Sequence, residues 1–296
     1  MRGVWALAAL LTAAGAQADT IRWVAQDLPP HFSFIDGRAP RSVDELAGGE
    51  VDGFLRVLLP RMTQHRHEFV EASTSRYEAL SRSGQTLCSA LHVRTPRRVD
   101  WLYFSHLYPS LASREIHVIV RRDVAEALAA GRPQDGRLTL EDLLKRREMR
   151  LLLATDRSFG PQIDRLLAQH VVPRLATGAQ LSNRLLGMLR AGRMDYTLEY
   201  PAVVSDYLKR VEDPGALVAL PLAEGFTTQL ATVSCSRTPE GRRQIEAIDA
   251  AVRQLAREPD REAWVREWRG ARQTPSDQRR LNVYMDERAR GGPRIE

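Results

Sequence analysis

Segments with the pattern of β-strands alternate with segments that have the pattern of α-helices along most of this 296-residue chain. Residues 20–26 and 114–122 are typical of strands, whereas residues 51–63 carry apolar side chains at helical spacing. Further strands are predicted at 150–154 and 194–198, again with helical segments between them. Alternation of this kind favours parallel pairing, so the sequence predicts an α/β fold with mostly parallel sheets. The periodicity leaves open whether there is one sheet or two.

The N-terminus has the organisation of a cleaved export signal. Arg2 precedes an apolar run from Val4 to Ala14, and Ala16-Gln17-Ala18 forms an A-x-A cleavage site before Asp19. The apolar run is too short to span a bilayer, and no cysteine follows it that could carry a lipid. We therefore expect residues 1–18 to be a signal peptide, cleaved after Ala18, and the mature chain to reach the periplasm.

The chain is basic, with a formal net charge of +6 and a pI of about 9.7. Almost all of the basic residues are arginines, and Lys145 and Lys209 are the only lysines. Because the arginines are scattered among acidic residues instead of clustering in one segment, we do not expect a nucleic-acid partner.

Two cysteines, Cys88 and Cys235, are present. Export would place them in an oxidising compartment, where disulfides form and persist. Spacing alone does not decide between a disulfide and two buried free thiols.

Several segments occur in an order that carries a family resemblance. The run “RYEALSRSGQTLCSALHV”, residues 76–93, leads into “RTPRRVDWLYFS”, “HLYPS” and “REIHVIVRR”; further along are “GRMDYTLEYPAVVSDYL”, residues 192–208, and “ATVSCSRTPEGRRQIEAIDAAVRQL”, residues 231–255. Together they resemble the bacterial extracellular solute-binding proteins of family 3, which have the type II periplasmic binding fold of amino-acid receptors. The resemblance covers about residues 20–270, and it is specific for the fold and weak for the ligand.

The resemblance implies two α/β lobes joined by two hinge crossings, with a ligand held in the cleft between them. Lobe 1 would comprise residues 19–116 with 231–270, and lobe 2 would comprise residues 117–230. Beyond Gly270 the chain is polar and rich in arginine, and we expect residues 271–296 to form a loosely ordered tail.

The resemblance also implies a pairing for the cysteines. In this family the strand that would contain Cys88 lies antiparallel to the strand that returns after the second hinge, which would contain Cys235. A disulfide within lobe 1 is therefore expected.

Three residues are candidates for direct ligand contacts. Arg98 matches the family's arginine that grips a ligand carboxylate, a task suited to the planar guanidinium because it can donate two parallel hydrogen bonds. Glu199 aligns with the family's acid for an α-ammonium group, and Ser158 lies just before a predicted helix, where free N–H groups favour an anion. The alternatives are a surface cation, a structural acid near the hinge and an ordinary serine before a helix, respectively.

Two further candidates rest on position alone. Phe32 follows the first strand, in a loop that lines the cleft in the family, and it would stack on the ligand or else pack within the loop. Arg76 begins a helix and would supply a second cation to the cleft or else lie on the surface. The sequence departs from the family pattern at Arg97, His106 and Glu199, where the family has Glu, Asp and Asp.

No motif indicates catalysis. His65 and His67 face one side of a strand, but no third metal ligand stands at a suitable spacing. Nucleophile-elbow and phosphate-loop motifs are absent from the sequence. We expect a non-enzymatic protein without a metal or cofactor.

The resemblance implies a monomeric receptor that captures a small carboxylate-bearing ligand, such as an amino acid or a relative, for an ABC-type permease. The alternative is a sensory module that uses the same cleft to report ligand to a membrane signalling partner.

Overall fold

The three-dimensional structure is a computed structural model. It describes residues 19–109, 111, 115–129, 136–155, 157–175, 181–225, 230–270 and 274–296. The predicted signal peptide lies outside the described residues.

Ten strands and ten α-helices are present in the described residues. The strands are β1 (Asp19–Ala25), β2 (His65–Glu71), β3 (Cys88–Ser89), β4 (Leu102–Pro109), β5 (His117–Arg121), β6 (Leu153–Ala154), β7 (Arg174–Leu175), β8 (Tyr196–Glu199), β9 (Leu217–Pro221) and β10 (Leu230–Ser236). The helices are α1 (Val51–Leu58), α2 (Thr74–Arg82), α3 (Arg122–Ala129), α4 (Leu140–Lys145), α5 (Pro161–Leu167), α6 (Leu181–Arg190), α7 (Pro201–Arg210), α8 (Pro239–Arg257), α9 (Arg261–Arg269) and α10 (Pro275–Arg290).

The largest sheet has five strands, in the order β2-β1-β3-β10-β4. Strand β1 pairs in parallel with β2 and β3, whereas β10 pairs antiparallel with β3 and β4. We call this sheet and helices α1, α2, α8, α9 and α10 lobe 1. Strand β1 is buried at Ile21, Trp23, Val24 and Ala25, which fits its place between β2 and β3.

Strands β5 to β9 form two smaller sheets, which we call lobe 2 together with helices α3 to α7. Strand β5 is central and pairs antiparallel with β8 and β9, while β6 and β7 form a parallel pair. The buried apolar residues of lobe 2 form clusters of their own, separate from those of lobe 1.

The two-lobed α/β fold expected from the sequence is confirmed. Strand β1 pairs in parallel with β2 and with β3, and β6 pairs in parallel with β7. The strands on either side of the crossings between the lobes, β4 and β5 and then β9 and β10, pair antiparallel with their neighbours. The lobe boundaries at 116/117 and 230/231 stay a prediction.

The cysteines form the expected disulfide. Cys88 on β3 stands directly opposite Cys235 on β10 in the antiparallel register, and their Cα atoms are 4.0 Å apart. The bond joins residues separated by 147 positions in sequence, so all the strands and helices of lobe 2 lie within the loop that it closes.

The expectation of a loosely ordered tail after Gly270 is wrong. Helix α10 packs on α8 and β4, and it buries Leu281, Tyr284 and Met285 in the core of lobe 1. After the helix, the backbone of Glu296 exchanges two hydrogen bonds of 2.9 Å with Phe104 on β4. The polar composition misled the prediction because the buried face of this helix is narrow.

A buried ion pair fixes α10 to the rest of lobe 1. Arg288 donates to Asp249 on α8 at 2.7 Å, and both side chains are 0% exposed. Asp249 also accepts from the Ser105 hydroxyl on β4, from the Arg253 Nε and from the Arg294 backbone N–H. Because these donors come from separate elements, the carboxylate ties β4, α8 and the C-terminal segment together.

Within the described part of the chain, no helix combines the length and the apolar character needed to cross a lipid bilayer.

Candidate ligand-binding site

A cavity of about 280 Å³ lies between the two lobes, close to the size range of small-molecule sites. Lobe 1 lines it with the end of β1 and the loop that follows, the start of α2 and the segment after β3. Lobe 2 lines it with the segment after β6, the start of α6 and the junction of β8 with α7. Its ionisable and polar lining residues are Gln26, Asp27, His31, Glu71, Ser73, Thr74, His92, Arg98, Thr155, Arg157, Ser158, Ser182, Asn183, Glu199 and Tyr200.

Arg98 reaches this cavity from lobe 1. Its backbone N–H donates to the Thr95 carbonyl at 3.0 Å, which closes a turn, and its Nη1 donates to the Val93 carbonyl at 2.8 Å. Arg98 is half-buried and lines the cavity. The neighbouring Arg97 is 74% exposed and lies 3.5 Å from Glu78. The turn therefore directs one arginine of the pair towards the cavity and the other towards solvent.

His92 forms part of the cavity wall close to Arg98. Its two ring nitrogens lie 2.8 Å from the Ser89 hydroxyl and 3.3 Å from the Thr74 hydroxyl. Burial, with a smaller effect from the charge of Arg98, holds the pKa of His92 well below its ordinary value. This part of the wall is therefore neutral at physiological pH and held in place by two hydroxyl groups.

Glu199 reaches the cavity from the end of β8, where it is already bound by four donors. Its Oε2 accepts from Arg157 Nη1 at 2.6 Å and from the Ser182 hydroxyl at 2.7 Å. Its Oε1 accepts from Arg157 Nη2 and from the Tyr200 backbone N–H. Burial alone would raise the pKa of Glu199, but the charge of Arg157 and these hydrogen bonds outweigh it and lower the pKa. Glu199 is therefore ionised and paired within lobe 2.

No motif of the sequence indicated a role for Arg157. It lies in the segment between β6 and α5, with its guanidinium carbon 5.1 Å from the centre of the Phe159 ring and 5.4 Å from that of Tyr200. Burial opposes the charged form, but Glu199 outweighs it by its charge and hydrogen bonds, so the pKa of Arg157 is raised. The side chain keeps 23% of its surface exposed, compared with 3% for Glu199. Arg157 is thus the more accessible member of the pair.

Ser158 also lines the cavity, but its hydroxyl is engaged. It donates to Asp164 Oδ2 at 2.5 Å, and the Phe159 backbone N–H donates to Asp164 Oδ1 at 2.8 Å. Asp164 lies in the first turn of α5, so a carboxylate of the protein already occupies donors near this helix start. A ligand contact of Ser158 stays a prediction.

The structure does not bring Phe32 and Arg76 to the cavity lining. Phe32 is buried in the core of lobe 1, with its ring centre 6.3 Å from that of Phe34, and Arg76 is exposed on α2. The loop after β1 contributes His31 instead, whose ring meets Tyr200 of lobe 2 edge-on at 5.0 Å. His31 Nδ1 lies 3.6 Å from Glu50 Oε2. Side chains in a loop do not alternate regularly between two faces as they do in a strand. The sequence alone therefore could not show which of His31 and Phe32 faces the cavity.

Among the residues that the structure describes, no group of three or more His, Cys, Asp or Glu side chains is placed to hold a metal ion. One ring nitrogen of His67 takes part in a hydrogen bond within lobe 1, since its Nδ1 accepts from the Trp23 indole N–H at 3.1 Å. Burial, followed by the nearby His65, lowers the pKa of His67 to about 4.

Solved structures of periplasmic binding proteins have the same fold. An ancestral arginine-binding protein bound to arginine matches with a TM-score of 0.60 and 14% identity, covering 86% of this chain and 100% of that one. A substrate-binding protein of an ABC uptake transporter from Streptococcus pneumoniae, with bound histidine, gives 0.59 and 13%, covering 85% and 92%. A histidine kinase sensor domain similar to periplasmic binding proteins gives 0.59 and 16%, covering 86% and 97%.

No family model matches the sequence, and no curated protein matches it either. At identities this low, the likeness to solved structures concerns the fold. The chain has the two-lobed fold of type II periplasmic binding proteins, with its cavity between the lobes.

Proposed function

We propose that this protein is an exported solute-binding protein of the family 3 type, which captures a small carboxylate-bearing ligand between its lobes for ABC-type uptake. The observation that carries the proposal is the interlobe cavity, into which Arg98 extends from lobe 1 while residues of lobe 2 form the opposite wall. A cavity shared by two lobes binds ligand when the lobes close on it, and closure excludes water from the charged contacts. Binding rather than catalysis is the activity that this arrangement supports.

Amino acids and their relatives are the first ligands to test. Two of the structures with the same fold hold arginine and histidine, and the guanidinium of Arg98 suits a carboxylate. The N-terminal pattern of the sequence supports delivery of the mature chain, starting at Asp19, to the periplasm.

Sensing is the second candidate, because the same fold occurs in a histidine kinase sensor domain. The genes beside this one would discriminate between the two. A permease and ATPase pair would favour transport, and a sensor kinase would favour signalling.

A thermal-shift screen of the chain from Asp19, with amino acids and small carboxylates, tests the proposal, since a bound ligand raises stability by mass action. Calorimetry on a ligand found in the screen then measures the role of Arg98. A hydrogen bond to a charged group contributes about 1.5–3 kcal/mol, so loss of a two-pronged contact in Arg98→Ala should weaken binding at least roughly a hundredfold. Arg98→Lys should lose nearly as much.

Arg97→Ala is the matched control, because Arg97 is the exposed neighbour of the same residue type, and its affinity should stay unchanged. Unchanged affinity in a folded Arg98→Ala protein would contradict the assignment of Arg98. Absence of any stabilising carboxylate would contradict the proposed ligand class.

A further inference from the structure

The carboxylate of Glu199 has no acceptor position left for a ligand. A carboxylate offers about four lone-pair positions, and Arg157 takes two of them while Ser182 and Tyr200 take one each. All four donors belong to lobe 2, so the arrangement forms without any contribution from a ligand or from lobe 1. An α-ammonium group would have to displace one of these donors before it could bind Glu199.

Displacement of one of these donors by an α-ammonium group would add little binding free energy. The bidentate pair is a charge-assisted contact between planar groups of matching shape, and the exchange would leave a donor of Arg157 without its partner in a half-buried site. Removing one partner of such a pair costs more than the pair itself contributes. Glu199 therefore serves to hold and orient Arg157.

Arg157 is the group that lobe 2 offers to the cavity. The fork that binds Glu199 uses two of the five N–H groups of its guanidinium, and Nη1 also lies 3.5 Å from the Ser182 hydroxyl. Part of the side chain remains exposed in the cavity wall. Packing against Phe159 and Tyr200 fixes the plane of the guanidinium. A second guanidinium, that of Arg98, reaches the same cavity from lobe 1.

The acidic residues that line the cavity are distributed unequally between the two lobes. Glu199 is neutralised by its partner, and the remaining acidic lining residues, Asp27 and Glu71, belong to lobe 1. Asp27 Oδ1 accepts from the Phe34 backbone N–H at 3.1 Å, and Glu71 is exposed at the end of β2. Among the described lining residues, lobe 2 thus presents a partly exposed cation, Arg157, and its one acid, Glu199, already accepts four hydrogen bonds.

We infer that lobe 2 recognises an anionic group through Arg157 and that the ligand is a small carboxylate whose binding does not depend on an α-ammonium group. This inference rests on the proposed function, because it assumes that a carboxylate enters the interlobe cavity. It differs from the expectation for amino-acid receptors, in which the acid at this position holds the ammonium group of the ligand.

Calorimetry on matched pairs of compounds tests the inference on the unmodified mature protein. Glutarate is compared with glutamate, succinate with aspartate and propionate with alanine, since the members of each pair differ by the α-amino group. We expect at least one compound without the amino group to bind as tightly as its amino-acid partner or more tightly. If the amino acid binds more tightly in every pair that binds, the inference is overturned and the proposed carboxylate site still stands.

Substitution of Arg157 gives an independent test. Arg157→Gln should weaken binding of the best carboxylate at least tenfold, because the anion loses its partner in lobe 2. Arg150→Gln is the matched control, since Arg150 also pairs with a carboxylate of lobe 2, Asp195 at 2.9 Å, but does not line the cavity. Equal affinity in folded Arg157→Gln and Arg150→Gln proteins would overturn the inference.

Glu199→Gln separates the two roles of the acid. If Glu199 only orients Arg157, this variant should weaken binding of the compounds with and without the amino group by the same factor, because Gln accepts only one of the two hydrogen bonds that hold Arg157. If Glu199 holds an ammonium group, the variant should lose affinity for the amino acid selectively, and this result would overturn the inference. Failure of every compound of the panel to bind the unmodified protein would overturn the proposed function itself, and the inference with it.

Discussion

Each lobe contains a buried arginine–carboxylate pair, and the two pairs differ in what surrounds the arginine. In lobe 1, Arg288 and Asp249 are both 0% exposed and lie between α8, α10 and β4. In lobe 2, Glu199 is nearly as buried, but Arg157 keeps 23% of its side-chain surface open. One cation faces only protein, and the other faces the cavity between the lobes.

A carboxylate whose acceptor positions are all used does not by itself reveal the role of its ion pair. Asp249 and Glu199 each accept four or more hydrogen bonds from the protein, and the pKa of each is lowered against the effect of burial by its hydrogen bonds and by a nearby arginine. The two pairs differ in the exposure of the arginine, which is 23% for Arg157 and 0% for Arg288. Arg288 contributes to the attachment of a helix, whereas Arg157 can contact a ligand.

Removal of the segment after Gly270 should have the largest effect. The deletion uncovers apolar surface that Leu281, Tyr284 and Met285 now bury and leaves Asp249 without Arg288. A buried Leu or Met side chain contributes about 1.5–3 kcal/mol, so the loss should be at least about 5 kcal/mol, comparable to the whole stability of many proteins. Urea unfolding followed by circular dichroism measures it.

A chain that ends at Arg290 is the control for this deletion. It retains α10 and the Arg288–Asp249 pair. It loses the backbone contacts of the last residues with β4 and Asp249, the Arg94–Glu296 and Arg294–Glu287 ion pairs and the partly buried Ile295, so its stability should fall by much less. If the chain ending at Gly270 unfolds at the same urea concentration as the full chain, α10 is not part of the core.

The importance of α10 was hard to predict because its buried face contains an arginine. Leu281, Tyr284, Met285 and Arg288 follow the spacing i, i+3, i+4 and i+7 of a single helical face, but the fourth member is charged and most of the other residues of the helix are polar. Composition therefore indicated a solvated segment. Only the buried partner, Asp249 at 39 positions' distance in sequence, shows why an arginine occupies that face.

The candidate site was predictable to a similar, partial extent. Arg98 and Glu199 were identified because they align with family motifs, and the structure places both at the cavity. Arg157 was missed although it directly precedes Ser158, because its partner Glu199 lies 42 residues away and no local pattern reports such a pairing. Tertiary contacts between loops carry this information, and periodicity does not.

Substitution of the two arginines by methionine should separate their roles. Arg288→Met leaves the buried charge of Asp249 with weaker compensation, and breaking such a pair costs about 3–5 kcal/mol. Ligand affinity should remain unchanged, since Arg288 does not line the cavity. Arg157→Met should cost less stability, because Arg157 is partly exposed, and should lose ligand affinity. Urea unfolding and calorimetry on both variants measure the two effects.

Arg290→Met is the control for Arg288→Met, because it changes an exposed arginine two positions further along the same helix. Its stability should stay within about 1 kcal/mol of the unmodified protein. Equal losses for Arg288→Met and Arg290→Met would contradict a structural role of the buried pair.

Loss of the disulfide should destabilise lobe 1 without changing the ligand site. Replacement of Cys88 and Cys235 by alanine opens a loop of 147 residues, and loss of a native disulfide costs about 2–5 kcal/mol in small secreted domains. Neither cysteine lines the cavity, so calorimetry should give an unchanged affinity once the variant is folded. A change in affinity larger than about threefold, in a folded protein, would show that the disulfide also shapes the cavity.

The smallest effect is expected from acidification, and it compares the two carboxylates directly. Both have a pKa lowered in the folded protein, from the ordinary values of 4.5 for Glu199 and 3.8 for Asp249. A carboxyl group with a lowered folded pKa stabilises the fold fully above its unfolded value, and this contribution is lost as the pH falls through the folded pKa. The stability difference between the unmodified protein and Glu199→Gln should therefore shrink below about pH 4.5. The difference for Asp249→Asn should begin to shrink only below about pH 3.8. Urea midpoints between pH 7 and pH 3 measure both curves, and a Glu199 difference that stays constant or grows on acidification would contradict the ionised pair with Arg157.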